Sequence, residues 1–128
     1  MRLVIIETPY SSPLDEDKSF PGTSEANLRY ARACMADSIR RGEAPFASHL
    51  LYTQLGILDD TSPEQRDLGM CCGAAWVRHL AEWRDPVKAW GPLCAVYTDL
   101  GLTSGMKHGI QLASARGIKI VFRSLHDE

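Results

Sequence analysis

"LCAVYTDLGLTSGMKHGIQLASARGIKIVF", residues 93–122, reads as strand, turn, helix and strand in succession. Leu93–Tyr97 is an apolar run without alternation, the pattern of a strand covered on both faces. Gly101, Thr103, Ser104 and Gly105 fill the join that follows. A helix is predicted from about 104 to 116, stopped by Gly117, and Ile118–Phe122 is a further short strand. Such a strand–helix–strand unit is a crossover between parallel strands. Gly109 stands inside the helix, where glycine costs about 1 kcal/mol relative to alanine. Its presence there needs a reason.

The same grammar extends toward the N-terminus. Leu3–Ile6 is a β-branched run that reads as a buried first strand. Residues 11–23, "SSPLDEDKSFPGT", are loop by composition, and loops of that length are often functional. Ser24 caps a predicted helix at 25–41, with Leu28, Ala31, Met35 and Ile39 at helical spacing and Gly42 as its stop. A second short strand falls near Pro45–Ser48, followed by an irregular segment at 49–62. Ser62-Pro63-Glu64-Gln65 opens another helix, predicted over 63–83. Its apolar face is assigned to Leu68, Cys72, Ala75, Trp76, His79 and Trp83.

The order β-α-β-α-β-α-β, with strands that do not alternate, predicts an α/β fold. It is a three-layer, doubly wound, mostly parallel sheet of four to five strands, flavodoxin-like or Rossmann-like. The chain of 128 residues fits one domain spanning 1–128. A net charge of −2 gives no basic field, so nucleic-acid binding is not expected. No apolar stretch approaches the roughly 20 residues that span a bilayer, and no membrane association is expected. Cys34, Cys71, Cys72 and Cys94 form no CxxC pair, so no metal site is expected. They fall among apolar residues and read as buried free thiols, which implies a reducing, cytoplasmic setting. No cofactor is expected, since neither GxGxxG nor GxxxxGK[ST] occurs.

In doubly wound sheets the ligand sits outside the carboxyl ends of the strands. Those ends carry Thr8, Pro9 and Tyr10, then Ser48 and His49, then Tyr97 through Gly105. Thr103, Ser104 and Gly105 open a helix directly after a strand. Their backbone N–H groups suit an anion, or they form a plain Ser/Thr cap; Gly101 and Met106 flank that turn. His49 is either a structural histidine or a ligand contact. His79, His108 and His126 read as surface or packing residues. Asp60, next to Asp59, holds a sugar hydroxyl or caps a turn. Asp99, just past the third strand, is the better-placed carboxylate. Tyr10 stacks on a base or closes the core, and Arg29 reaches the rim or lies on a solvated face. Trp76 and Trp83 are assigned to the core, while Trp90 covers a pocket or an interface.

The segments "TPY", "NLRYARACMADSIRRGEAPFASHLLYTQLGILDD", "PEQRDLGM" and "VYTDLGLTSGMKHGIQLASARGI" together resemble the nucleoside 2-deoxyribosyltransferase-like superfamily, and in particular its small phage and prophage branch. The resemblance spans about residues 3–123. It implies a flavodoxin-like fold, a homo-oligomer and a small-molecule nucleoside or nucleotide ligand whose N-glycosidic bond is cleaved through an attacking glutamate. Tyr10 matches the superfamily's first-strand tyrosine, and Thr103 and Gly105 match the small residues of its phosphate loop. The glutamate's position falls at Gly109, and an aspartate near the third strand falls at Pro92. The resemblance therefore leaves three readings open. Another carboxylate serves, with Asp99, Asp59, Asp60 and Glu43 as candidates and Asp99 and Tyr10 the expected catalytic residues; or the pocket binds without catalysis; or it is vestigial in an interaction protein.

Overall fold

The computed structural model describes residues 1–9, 25–54, 56–59 and 62–126. Four strands form one all-parallel sheet in the order β2-β1-β3-β4: β1 (Arg2–Glu7), β2 (Glu43–Phe46), β3 (Leu93–Tyr97) and β4 (Lys119–Arg123). Four helices connect or flank them: α1 (Glu25–Arg40), α2 (Ser48–Tyr52), α3 (Pro63–Leu80) and α4 (Ser104–Ala115). The order reverses direction between β1 and β3, as in flavodoxin-like sheets.

The absence of alternation in β1 and β3 has a direct cause. Val4, Ile6, Ala95 and Tyr97 point to one face, where Tyr30 and Cys34 of α1 cover them. Ile5, Cys94 and Val96 point to the other, where Val77 of α3 and Met106 and Ala113 of α4 cover them. Both faces are buried, so every position along these strands is apolar. The layers are α1, the sheet, then α3 with α4. Glu7 continues the register of Ile5 and therefore faces α4.

Most elements fall where the sequence puts them, with corrections at β2, at α2, in the face of α3 and at two cysteines. β2 begins at Glu43 rather than Pro45, because its register with Arg2 starts directly after Gly42, whose φ of +84° ends the preceding helix. Pro45 is accommodated because β2 is an edge strand. β2 also ends at Phe46: Ser48, expected to close that strand, and residues 49–52, expected to be irregular, form the short helix α2.

The third correction concerns the buried face of α3. Gly73 and Val77 are its buried residues, whereas Leu68 and Trp76 are 56% and 46% exposed. The buried stripe is thus turned by roughly one residue, about 100°, from the face predicted by apolar spacing. Glycine explains the turn. A Cβ at Gly73 would lie 3.0 Å from Ser48 Oγ, so α2 packs against α3 through the missing side chain. Trp76 instead lies over Phe46, with ring centroids 5.8 Å apart, and donates its indole N–H to Tyr52 Oη at 2.6 Å. Of the cysteines, Cys34 and Cys94 are buried, but Cys71 is exposed and Cys72 only partly covered. Among the described residues no helix is long and apolar enough to cross a membrane.

Candidate functional site

A cavity of about 170 Å³ opens at the carboxyl end of β1, bounded by α2, α3 and the first half of α4. Its position follows from the topology. Flanking helices diverge where the strand order reverses, and the gap is left at the carboxyl edge. Gly69 and Gly73 lie four apart on the wall formed by α3. Gly105 and Gly109 lie four apart on α4. Residues at that spacing share one helix face, so both walls are lowered to backbone level.

Glu7 sits at the base of this cavity. Its carboxyl group occupies the space that a side chain on Gly109 would fill. A Cβ there would stand 2.5 Å from Glu7 Oε2 and 2.6 Å from both Cδ and Oε1. Glycine in the middle of α4 is thus explained by close approach rather than by backbone conformation. The acid makes no hydrogen bond or ion pair among the described residues. Burial pushes it up from 4.5 to about 8. The group is nevertheless partly accessible, because it faces the cavity.

The next residue along β1, Thr8, is 3% exposed and shares a 2.7 Å hydrogen bond with His49 Nε2. Burial pushes His49 down to about 4, so its ring is neutral at pH 7. Thr103 caps α4 by accepting from Met106 N–H at 3.2 Å, and both residues line the cavity. The first-turn amide groups of α4 therefore stand beside the cavity with the positive end of the helix dipole. Phe46, Leu58, Met70 and Leu112 supply apolar wall; Tyr52, Gln65, Arg66 and His108 supply polar groups.

Of the residues singled out in the sequence, the structure brings Thr8, His49, Thr103, Gly105 and Met106 together on this cavity. Pro9 is fully buried beside Thr8 and does not line it, and Ser104 is the exposed first residue of α4. Gly101 makes a turn with φ +86°, donating to Thr98 O. Arg29 lies exposed on α1. Tyr10 and Asp60 lie outside the described residues.

Asp99, expected as a catalytic carboxylate, does not line the cavity. It accepts from Tyr30 Oη at 2.5 Å, from Leu125 N–H at 3.0 Å and from the Ser124 hydroxyl. Burial alone would raise its pKa; the Ser124 and Tyr30 hydroxyls and the Leu125 amide outweigh that and hold it down to about 2. Asp99 thus ties α1 to the segment after β4. Glu43 is also engaged elsewhere, in a 2.6 Å ion pair with Arg123. Asp59 lies outside the cavity lining, its backbone N–H donating to Gln65 Oε1.

Sequence reasoning passed over Glu7, Gly69 and Gly73, and it read His108, which lines the cavity, as a surface or packing residue. Glu7 carried a readable signal: a carboxylate two residues after Ile5, at the carboxyl end of the first strand of a parallel sheet, points to the same face as Ile5 at the edge where ligands bind.

These features define a doubly wound α/β protein with a ligand-sized cavity at the carboxyl edge of its sheet. The chain belongs to the DUF7768 family, described as a domain of unknown function, whose profile matches residues 2–123. No curated protein and no solved structure matches it.

Proposed function

We propose that the protein binds a nucleoside or nucleotide in the cavity beside β1 and acts on its N-glycosidic bond. The observation that carries this reading is the carboxyl group of Glu7, free of hydrogen-bond partners among the described residues and facing the cavity. Glycosidic cleavage develops positive charge at the anomeric carbon, and a carboxylate in a poorly hydrated pocket stabilises that charge. The apolar wall suits the flat face of a base. An apolar cavity of about 150 Å³ holds a benzene-sized molecule, so about 170 Å³ accommodates one ring with the remainder toward the mouth. The amide groups of α4 and the nearby Arg66 suit an anionic 5′ substituent.

The test is incubation with ribo- and 2′-deoxyribonucleosides and their 5′-monophosphates, followed by chromatography for free base. Mass spectrometry of the purified protein for a retained ligand complements it. Release of base supports the reading; no release and no thermal shift with any member of the panel refutes it.

A second reading, binding without turnover, is favoured by the burial of Glu7 between β1 and α4, which raises the acid and keeps most of it protonated at pH 7. A thermal shift with no base released would select it. Homo-oligomerisation belongs to the proposal as well. Leu51, Ile57, Leu68 and Trp76 leave apolar surface exposed along α2, α3 and the segment between them, as an interface would. The unpaired thiols, Cys71 in the open among them, support a reducing, cytoplasmic setting.

A further inference from the structure

We infer that Glu7 is the nucleophile of this site, supplied from β1 into the space that Gly109 leaves open on α4. The inference rests on the glycosidic reading above and assigns it a residue. The two positions are reciprocal: the carboxyl group lies within 2.6 Å of where the Cβ of residue 109 would be, so a side chain at 109 and a carboxylate from β1 exclude each other. A helix interior tolerates glycine only at a cost, and here the missing Cβ is what admits the acid.

The geometry suits attack. Glu7 ends its strand at the base of the cavity, and Ile5 below it packs into the core, so the backbone that aims the side chain is rigid. No hydrogen bond among the described residues competes for its oxygens, which leaves both lone-pair sets for a reacting carbon. In the reaction a Glu7 oxygen bonds to the anomeric carbon as the carbon–nitrogen bond breaks. The electron pair leaves with the base, which takes a proton from water. A second water then adds to the anomeric carbon, the ester bond breaks, and its electron pair returns to the carboxylate as the water's proton is released. The net change is nucleoside plus water to base plus sugar.

The titratable groups beside Glu7 or sharing its cavity, among the described residues, are Cys94 on β3, His49 and Tyr52 on α2, Arg66 on α3 and His108 on α4. His49 is neutral above about pH 4, and burial, with the charge of Glu7, pushes Cys94 up to about 12. The acid itself is held up by burial, to about 8. Turnover through its ionised form rises about tenfold from pH 7 to pH 9 and then levels.

The experiment uses the intact chain with the nucleoside and monophosphate panel, comparing wild type, Glu7→Gln and Gly109→Ala, with folding checked by circular dichroism. Glu7→Gln is expected to lose at least about a hundredfold in base release while still binding, as judged by thermal shift. Gly109→Ala displaces only the far end of a flexible side chain, so it is expected to fold, to bind, and to lose at least about tenfold. A smaller loss in Glu7→Gln, or a rate independent of pH from 6 to 9, overturns the assignment. A nucleoside carrying fluorine at C2′, which slows breakdown of a glycosyl ester, should leave the sugar on the peptide that contains Glu7; an adduct on another peptide overturns it too. A wild type that binds but releases no base at pH 9 removes the nucleophile and leaves the ligand. One that neither binds nor releases base removes the functional reading along with it.

Discussion

Glu7→Gln should make the protein more stable, and increasingly so as pH rises. In the folded chain burial raises the acid to about 8, against 4.5 in its ordinary state. Below pH 4.5 both folded and unfolded chains hold the proton, and the folded state has its full stability. Between 4.5 and 8 the unfolded chain ionises while the folded chain does not, so stability falls as pH rises. Above about 8 both are ionised and the loss is complete. Each pH unit in that window is worth about 1.4 kcal/mol, which gives a loss of about 3 kcal/mol by pH 7. A cavity-facing group keeps some contact with water, so this is an upper figure. Glutamine has nearly the same shape and does not titrate. The variant should therefore melt higher by on the order of 10 °C at pH 8, with the gap closing toward pH 5. Melting curves of both proteins from pH 5 to 8.5 read this directly. Parallel curves, or a variant less stable at pH 8, would refute the account of Glu7 as a buried acid. The pairing of gained stability with lost turnover is the usual trade at a functional site.

Other expectations concern the groups outside the cavity. Asp99→Ala removes three hydrogen-bonded contacts that join α1 to residues 124–125, so urea unfolding should show a loss of about 2 kcal/mol, while base release per folded molecule stays the same; a specific loss of turnover would return Asp99 to the site. Arg123→Ala strands Glu43, whose side chain is only 12% exposed, and should cost about 3 kcal/mol; an unchanged urea midpoint would show that the pair contributes nothing. Asp37, Glu43 and Asp99 are all held below their ordinary values by hydrogen bonds, with Arg41 beside Asp37 and Arg123 beside Glu43. Stability present above about pH 4 should therefore be lost on acidification toward 2, and circular dichroism flat from pH 4.5 to 2 would contradict the assignment. For the proposed homo-oligomer, Leu68→Glu with Trp76→Glu should shift the mass measured by light scattering toward the monomer; an unchanged mass would refute an interface on this face of α3.

Much of the fold was legible in residue order alone. Runs such as Leu93–Tyr97 are apolar at every position because helices cover both faces, and that pattern, with intervening helical spacing, selects a parallel sheet. Gly42 and Gly117, both at positive φ, marked helix ends by conformation. The face of α3 was misread for a related reason. Spacing rules count apolar side chains, and α3 packs against α2 through Gly73, where there is no side chain to count. Leu68 and Trp76 made the stronger stripe and turned out to be the exposed one.

The site divides along the same line. Sequence order by itself placed Thr8, His49, Thr103, Gly105 and Met106 at the carboxyl edge, because strand ends and helix starts are local features. It also singled out Gly109 as a residue in need of a reason. What Gly109 accommodates was decided only in three dimensions, by Glu7, a hundred and two positions earlier in the chain. The exclusion of Asp99 was decided there as well, since Tyr30, Ser124 and Leu125 converge on it from distant segments. A side chain's periodicity fixes which way it points; whether it meets a partner, a cavity or an empty backbone depends on what the folded chain brings opposite.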